Sequence, residues 1–219
     1  MHLETILYML LQSDKIRPPT VIKPDFEGAV EIAEAARVPN EWFEIPEQTI
    51  TIGLDDSEDN SGPDHHFGWV NEKPPRKVVV PAFEAQARPI TNEEYARYLE
   101  QTHNLNIPAS WVEKNVAQNG YPSGYTNEHS NGYANGNSCP SAPLSQSYLE
   151  GKSVRTVYGP VPLKFSLDWP VSASYDELAG CAKWMGGSIP TLKQTKSIYQ
   201  YADASRRHYG TCGKVGHNF

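Results

Sequence analysis

Cysteine is scarce in this sequence, cations are outnumbered, and no long apolar run is present. The three cysteines, Cys139, Cys181 and Cys212, are far apart and odd in number. Without a CxxC pair they offer neither a zinc nor a redox motif, and they fit a reducing, cytoplasmic compartment. Lys and Arg number 19 against 26 Asp and Glu, a net charge of −7, so a phosphate backbone or an anionic membrane surface would be repelled. Nucleic acid is therefore not an expected partner. No apolar run approaches the roughly 18 residues of a membrane-spanning helix. The opening MHLETILYMLLQSDK lacks the basic start and small-residue cleavage site of a signal peptide, and no Asn-x-Ser/Thr sequon occurs. Neither secretion nor a membrane partner is expected.

What is present is enough to fold. The 219 residues, 38% hydrophobic and 11% aromatic, can bury the core of one domain, or of one domain with an appendage. Leu3, Ile6, Leu7, Leu10 and Leu11 recur at helical spacing and predict an apolar stripe on a helix over 2–12. Its periodicity is already running at His2 with no Ser, Thr, Asp or Asn cap before it. The proline-rich RPPTVIKPDF at 17–26 predicts an extended connector, followed by a short amphipathic segment over 27–37. The β-branched runs at 48–54 and 77–83 predict strands, and so does 153–158. Three helices carry capping-box signatures: Thr91 with Glu94, Ser174 with Glu177, and Thr191 with Gln194, over 91–103, 174–185 and 191–204. Residues 115–149, rich in Asn, Gly, Ser and Tyr, predict a long loop. The tail 205–219 carries neither helical nor strand period and predicts irregular chain. Few strands and several helices among long loops imply an irregular α+β domain.

Three constellations could carry chemistry. Asp55, Asp56, Glu58, Asp59, Asp64, His65 and His66 crowd one loop. Asn60 stands where a calcium loop of the EF-hand kind needs glycine, and no Glu closes the loop, so a solvated acidic loop is the expected reading. Cys181 lies beside Leu178, Ala182 and Trp184 on a helix and reads as a small buried hydrophobe. Cys139 lies in a polar loop with no adjacent base to activate it. His2 is a candidate metal ligand, with Glu4 as a carboxylate that could orient it. One histidine makes no site by itself, and on these residues alone an ordinary helical histidine is the favoured reading.

Taken in order, HLETILYMLLQ, IGLDD, FGWVNEKPPR, PITNEEYARYL, PASWV, VRTVYGPVPL and DWPVSASYDELAGCAKWMGG cover about residues 1–204. The ordered set resembles the hercynylcysteine sulfoxide synthase portion of the fungal ergothioneine biosynthesis proteins. From about Trp42 it is similar to the sulfatase-modifying-factor domain, the C-type-lectin-like fold of formylglycine-generating enzymes. Residues 1–16 look like the end of a DinB-like helix bundle. The resemblance implies four parts: the bundle end at 1–16, a linker with a short helix at 17–41, a partial lectin-like domain at 42–204, and the tail at 205–219. It implies an oxidoreductase that uses Fe(II) and O2 to couple cysteine or γ-glutamylcysteine to hercynine. It makes His2 one of three histidine ligands to that iron, with Glu4 beside it, and places the other two ligands and the substrate-binding residues outside this chain. On that reading the chain is a fragment without activity of its own. Val70 and Ser188 depart from the family's usual Asp and Arg. The alternative expectation is a non-catalytic, lectin-like binding module.

Overall fold

The computed structural model describes residues 2–11, 13, 15, 20–38, 40–54, 68–69, 72–113 and 144–210, and among these all side chains except those of 2–4, 8 and 206–210. Six α-helices and seven strands are present among the described residues, with every strand pair antiparallel. The chain is α+β, as expected. It divides into two compact units, one formed by 1–39 with 88–189 and the other by 40–87 with 190–219.

The second unit is built on two hairpin-like pairs. Strand β1 (Trp42–Ile45) pairs with β4 (Phe83–Gln86), and β2 (Gln48–Ile52) pairs with β3 (Arg76–Val80). The run 77–83, expected as one strand, is thus two strands with different partners. Pro81 divides them, since it cannot donate to a ladder. Alternation puts Ile45, Ile50, Val80 and Ala85 inside. Helix α6 (Leu192–Gly210) packs on them through Ser197, which is fully buried and bonded by Gln48 Nε2 at 2.8 Å, and through Tyr201 stacked on Phe43 at 6.3 Å. The expected irregular tail begins six residues too early, because the helix continues through 205–210.

The first unit opens with α1 (His2–Leu11) and α2 (Phe26–Ala35), the latter capped by Asp25, which accepts from Gly28 N at 2.9 Å. Among the described side chains of the predicted α1 stripe, Ile6, Leu7 and Leu10 are exposed and Leu11 is half-buried. Helix α3 (Asn92–Gln101) and helix α5 (Tyr175–Trp184) each start with the predicted capping box, complete in both directions. Between them lie β5 (Trp111–Glu113), a short α4 (Gln146–Leu149) and the β6–β7 hairpin (Lys152–Thr156, Gly159–Pro162). Helix α4 falls inside the span expected as loop, and the hairpin's second strand was not foreseen. Two prolines conceal β7 from a propensity reading, and they are tolerated because β7 is the outer strand of the order β5-β6-β7.

Tyr95, Ala96, Leu99, Trp111, Leu163 and Cys181 form the core of this unit. The Tyr95 and Trp111 rings lie edge to face with centroids 5.9 Å apart, the arrangement that aromatic quadrupoles favour. Gly180 lets α5 approach α3 closely, since a Cβ there would lie 2.7 Å from Tyr98 Oη.

Candidate functional site

His2 and Glu4 both lie in α1, and their side chains are outside the described residues. Two positions apart, they sit on different faces of the helix. The acidic, histidine-bearing loop 55–66, Cys139 and Cys212 also lie outside the described residues. Among the described residues no group of three or more His, Cys, Asp or Glu is placed to hold a metal ion, so they do not by themselves build an iron site. No described helix is long and apolar enough to cross a membrane.

Cys181 behaves as its neighbours predicted. It is fully buried and unpaired, its Sγ lies 3.9 Å from Met185 Sδ, and burial pushes its thiol up to about 12. A thiol held so far from ionisation is no nucleophile at neutral pH.

The polar features that sequence reasoning missed lie around the N-terminus of α3. Asn92 is 1% exposed. Its Oδ1 accepts from Trp111 Nε1 at 3.0 Å, and its Nδ2 donates to the carbonyl of Ser166 at 2.8 Å. One amide thereby ties α3 to β5 and to the turn after the Leu163–Phe165 3-10 helix. The α3 backbone is held there as well, as Asn92 N donates to Trp169 O at 2.8 Å and Glu93 N to Leu167 O at 2.9 Å. The first-turn donors that a helix usually offers to an anion are thus already used.

On the outer side of the same helix, Glu93 pairs with both Arg37 and Arg97, and Asp168 lies 2.7 Å from Arg88 and 3.6 Å from Arg37. The hydrogen bond to Glu93 is the main reason that the Arg37 guanidinium is held above its ordinary value. This network clasps the segment after α2 to α3, assisted by Phe26, whose ring lies 5.7 Å from Trp169 and 6.4 Å from Tyr158.

A small cleft lies beside the Asn92 hub, with a volume of about 80 Å³. Leu11, Val154 and Pro170 give it apolar walls, and Asn92, Ser110, Arg155 and Ser172 bring polar groups to it. The Ser110 hydroxyl is committed to the carbonyl of Ser172. Nε of Arg155 is buried with no hydrogen-bond partner among the described residues. Sequence could not flag this residue, because an arginine in a strand ordinarily points to water.

No protein-family model matches the chain. It is 57% identical over 210 residues to ergothioneine biosynthesis protein 1 of Neurospora crassa, which covers 94% of this chain and 23% of that protein. To ergothioneine biosynthesis protein 1 of Schizosaccharomyces pombe it is 27% identical over 220 residues, 91% of this chain and 24% of that protein. Over nearly all of its own length, the chain is therefore similar to about a quarter of the fungal ergothioneine biosynthesis proteins it matches.

Proposed function

We propose that this chain is part of a protein of ergothioneine biosynthesis and that it belongs, within that protein, to a nonheme iron(II), O2-dependent sulfoxide synthase joining hercynine to cysteine or γ-glutamylcysteine. The observation that carries this reading is the 57% identity over 210 residues with the Neurospora crassa protein. The ordered motifs from HLETILYMLLQ to DWPVSASYDELAGCAKWMGG add to it, and the α+β content is compatible with a lectin-like domain from Trp42 onward, preceded by the end of a DinB-like bundle.

In this reading His2 is one of three histidine ligands and Glu4 a nearby carboxylate. The described residues by themselves complete no metal site. The test is iron titration of a longer protein that carries this sequence, beside the same protein with His2→Ala. Stoichiometric iron binding and thiol–hercynine coupling in the parent, both lost in the variant, are expected. Absence of stoichiometric iron in the longer protein, or binding indifferent to the His2 substitution, overturns the reading. A non-catalytic binding module would instead hold its ligand without turnover and without iron.

A further inference from the structure

Helix α2 and the residues up to Val38 take no part in the core of the first unit. That core is Tyr95, Ala96, Leu99, Trp111, Leu163 and Cys181, and the half-buried apolar side chains packed around it run from Ile90 to Met185. Among the described residues of 20–38 none is buried: Phe26, Val30 and Ala33 are half-buried, and Ile32 is 73% exposed. Backbone hydrogen bonds at the two ends of α2 stay within the segment, from Ala29 N to Asp25 O, Ala36 N to Ile32 O and Arg37 N to Glu34 O. An element with few buried apolar contacts opens at a fraction of the free energy of global unfolding. The segment is fastened at both ends. At the start of α2 the Phe26 ring lies 5.7 Å from Trp169 and 6.4 Å from Tyr158. Past its end Arg37 pairs with Glu93 and lies 3.6 Å from Asp168, and the Val38 carbonyl accepts from Arg88 Nη1 at 3.1 Å. The Arg37 side chain is 44% exposed, so dissolved salt reaches and screens this second fastening.

We propose that residues 25–38 are a strap that lifts off the first unit as one body, with Arg37 as its salt-sensitive latch, while the core between Ile90 and Met185 stays folded. Lifting withdraws Phe26 from Trp169 and Tyr158, and Arg37 from Glu93 and Asp168. The face uncovered is therefore aromatic and acidic. The helix keeps its own cap, since Asp25 accepts from Gly28 N at 2.9 Å within the strap, and it need not unravel to leave. Fastenings at opposite ends make this motion distinguishable from fraying. Loss of either one eases a one-body opening along the whole of α2, whereas in fraying it loosens the nearer end alone. The proposal is independent of the iron chemistry above, and either can fail without the other.

Hydrogen exchange of the ¹⁵N-labelled chain, followed amide by amide, tests it. In the parent the protection of Ala29 to Ala36 is expected to be at least about tenfold below that of Tyr95 to Leu99 in α3. Arg37→Gln is expected to speed exchange about threefold, by the same factor from Ala29 to Ala36, which is the scale of a half-exposed ion pair. Phe26→Ala is expected to speed it about tenfold, again uniformly, through the lost aromatic contacts. Sodium chloride at about 1 M should act on the parent as Arg37→Gln does and change that variant little. Protection of α3 stays unchanged throughout, and the same spectra thereby verify that each variant is folded. Four results overturn the proposal: α2 amides as protected as those of α3, acceleration confined to the end nearer the substitution, equal acceleration in α3, or no response of the parent to salt.

Discussion

At Asn92 one side chain closes two buried hydrogen bonds, to Trp111 and to Ser166. Asn92→Leu keeps the volume but leaves the indole N–H of Trp111 unmet, at about 1–3 kcal/mol for a buried group left without a partner, whereas the Ser166 carbonyl keeps the Trp169 N–H at 3.1 Å. Chemical denaturation is therefore expected to show a loss of about 1–3 kcal/mol, and a loss below about half of 1 kcal/mol would mean that water replaces the amide. Cys181, Tyr148 and Tyr95 form a second set of residues with a common consequence. Burial raises the thiol of Cys181 and the phenol of Tyr148 to about 12, and raises Tyr95 as well. A group whose folded pKa lies above its unfolded value keeps its stabilising contribution below the unfolded value and loses it as pH rises through the folded one. Stability should hold to about pH 9, near the ordinary thiol value, and decline steadily toward pH 12. Midpoints of urea unfolding between pH 7 and 11 check this. Cys181 should likewise resist alkylation at pH 8 in the folded chain and react once urea unfolds it.

Helices α3 and α5 end in the same way with different residues. In both, the second residue past the cap returns to the third-last helical carbonyl: Asn104 N to Leu99 O at 3.0 Å, and Gly187 N to Ala182 O at 2.8 Å. The residue between must be left-handed. In α5 it is Gly186 at φ 87°, and in α3 it is His103 at φ 52°. A Cβ costs about 1 kcal/mol there, so His103→Gly is expected to stabilise the chain by about 0.5–1 kcal/mol in thermal or denaturant unfolding. A destabilised variant would show that the imidazole makes up for its backbone. The starts of these helices were legible in sequence because a capping box is local: Thr91 with Glu94 and Ser174 with Glu177 need only their own turn. Strand β7 was not legible, because the only thing that makes Gly159–Pro162 a strand is its ladder to β6.

Across the whole molecule, each unit is assembled from two stretches of chain, 1–39 with 88–189 and 40–87 with 190–219. The Arg37–Glu93–Arg97 and Arg88–Asp168 pairs belong to this level, since Arg37 and Arg88 meet carboxylates 56 and 80 residues away in the chain. Asp168→Asn removes the negative charge that two guanidinium groups share. These side chains are about a quarter to a half exposed, so solvent screening holds the loss to about 1 kcal/mol. The difference from the parent chain should shrink in 1 M sodium chloride, where the screening length falls to about 3 Å. A salt-independent loss would point instead to the hydrogen bond that Asp168 accepts.

The amino-acid sequence by itself determined the capping boxes that open α3 and α5, the burial of Cys181, the α+β class and the likeness to fungal ergothioneine biosynthesis proteins, because each of these depends on spacing, local hydrogen bonding or residue order. Only the tertiary structure decided that 77–83 splits between two partners, that α6 runs past Ala204, that Ile6, Leu7 and Leu10 of the α1 stripe are exposed, and that Arg155 has a buried donor unpaired among the described residues. Strand partners, solvent exposure and the fate of a buried charge are set by residues far away in the chain, and no local pattern encodes them.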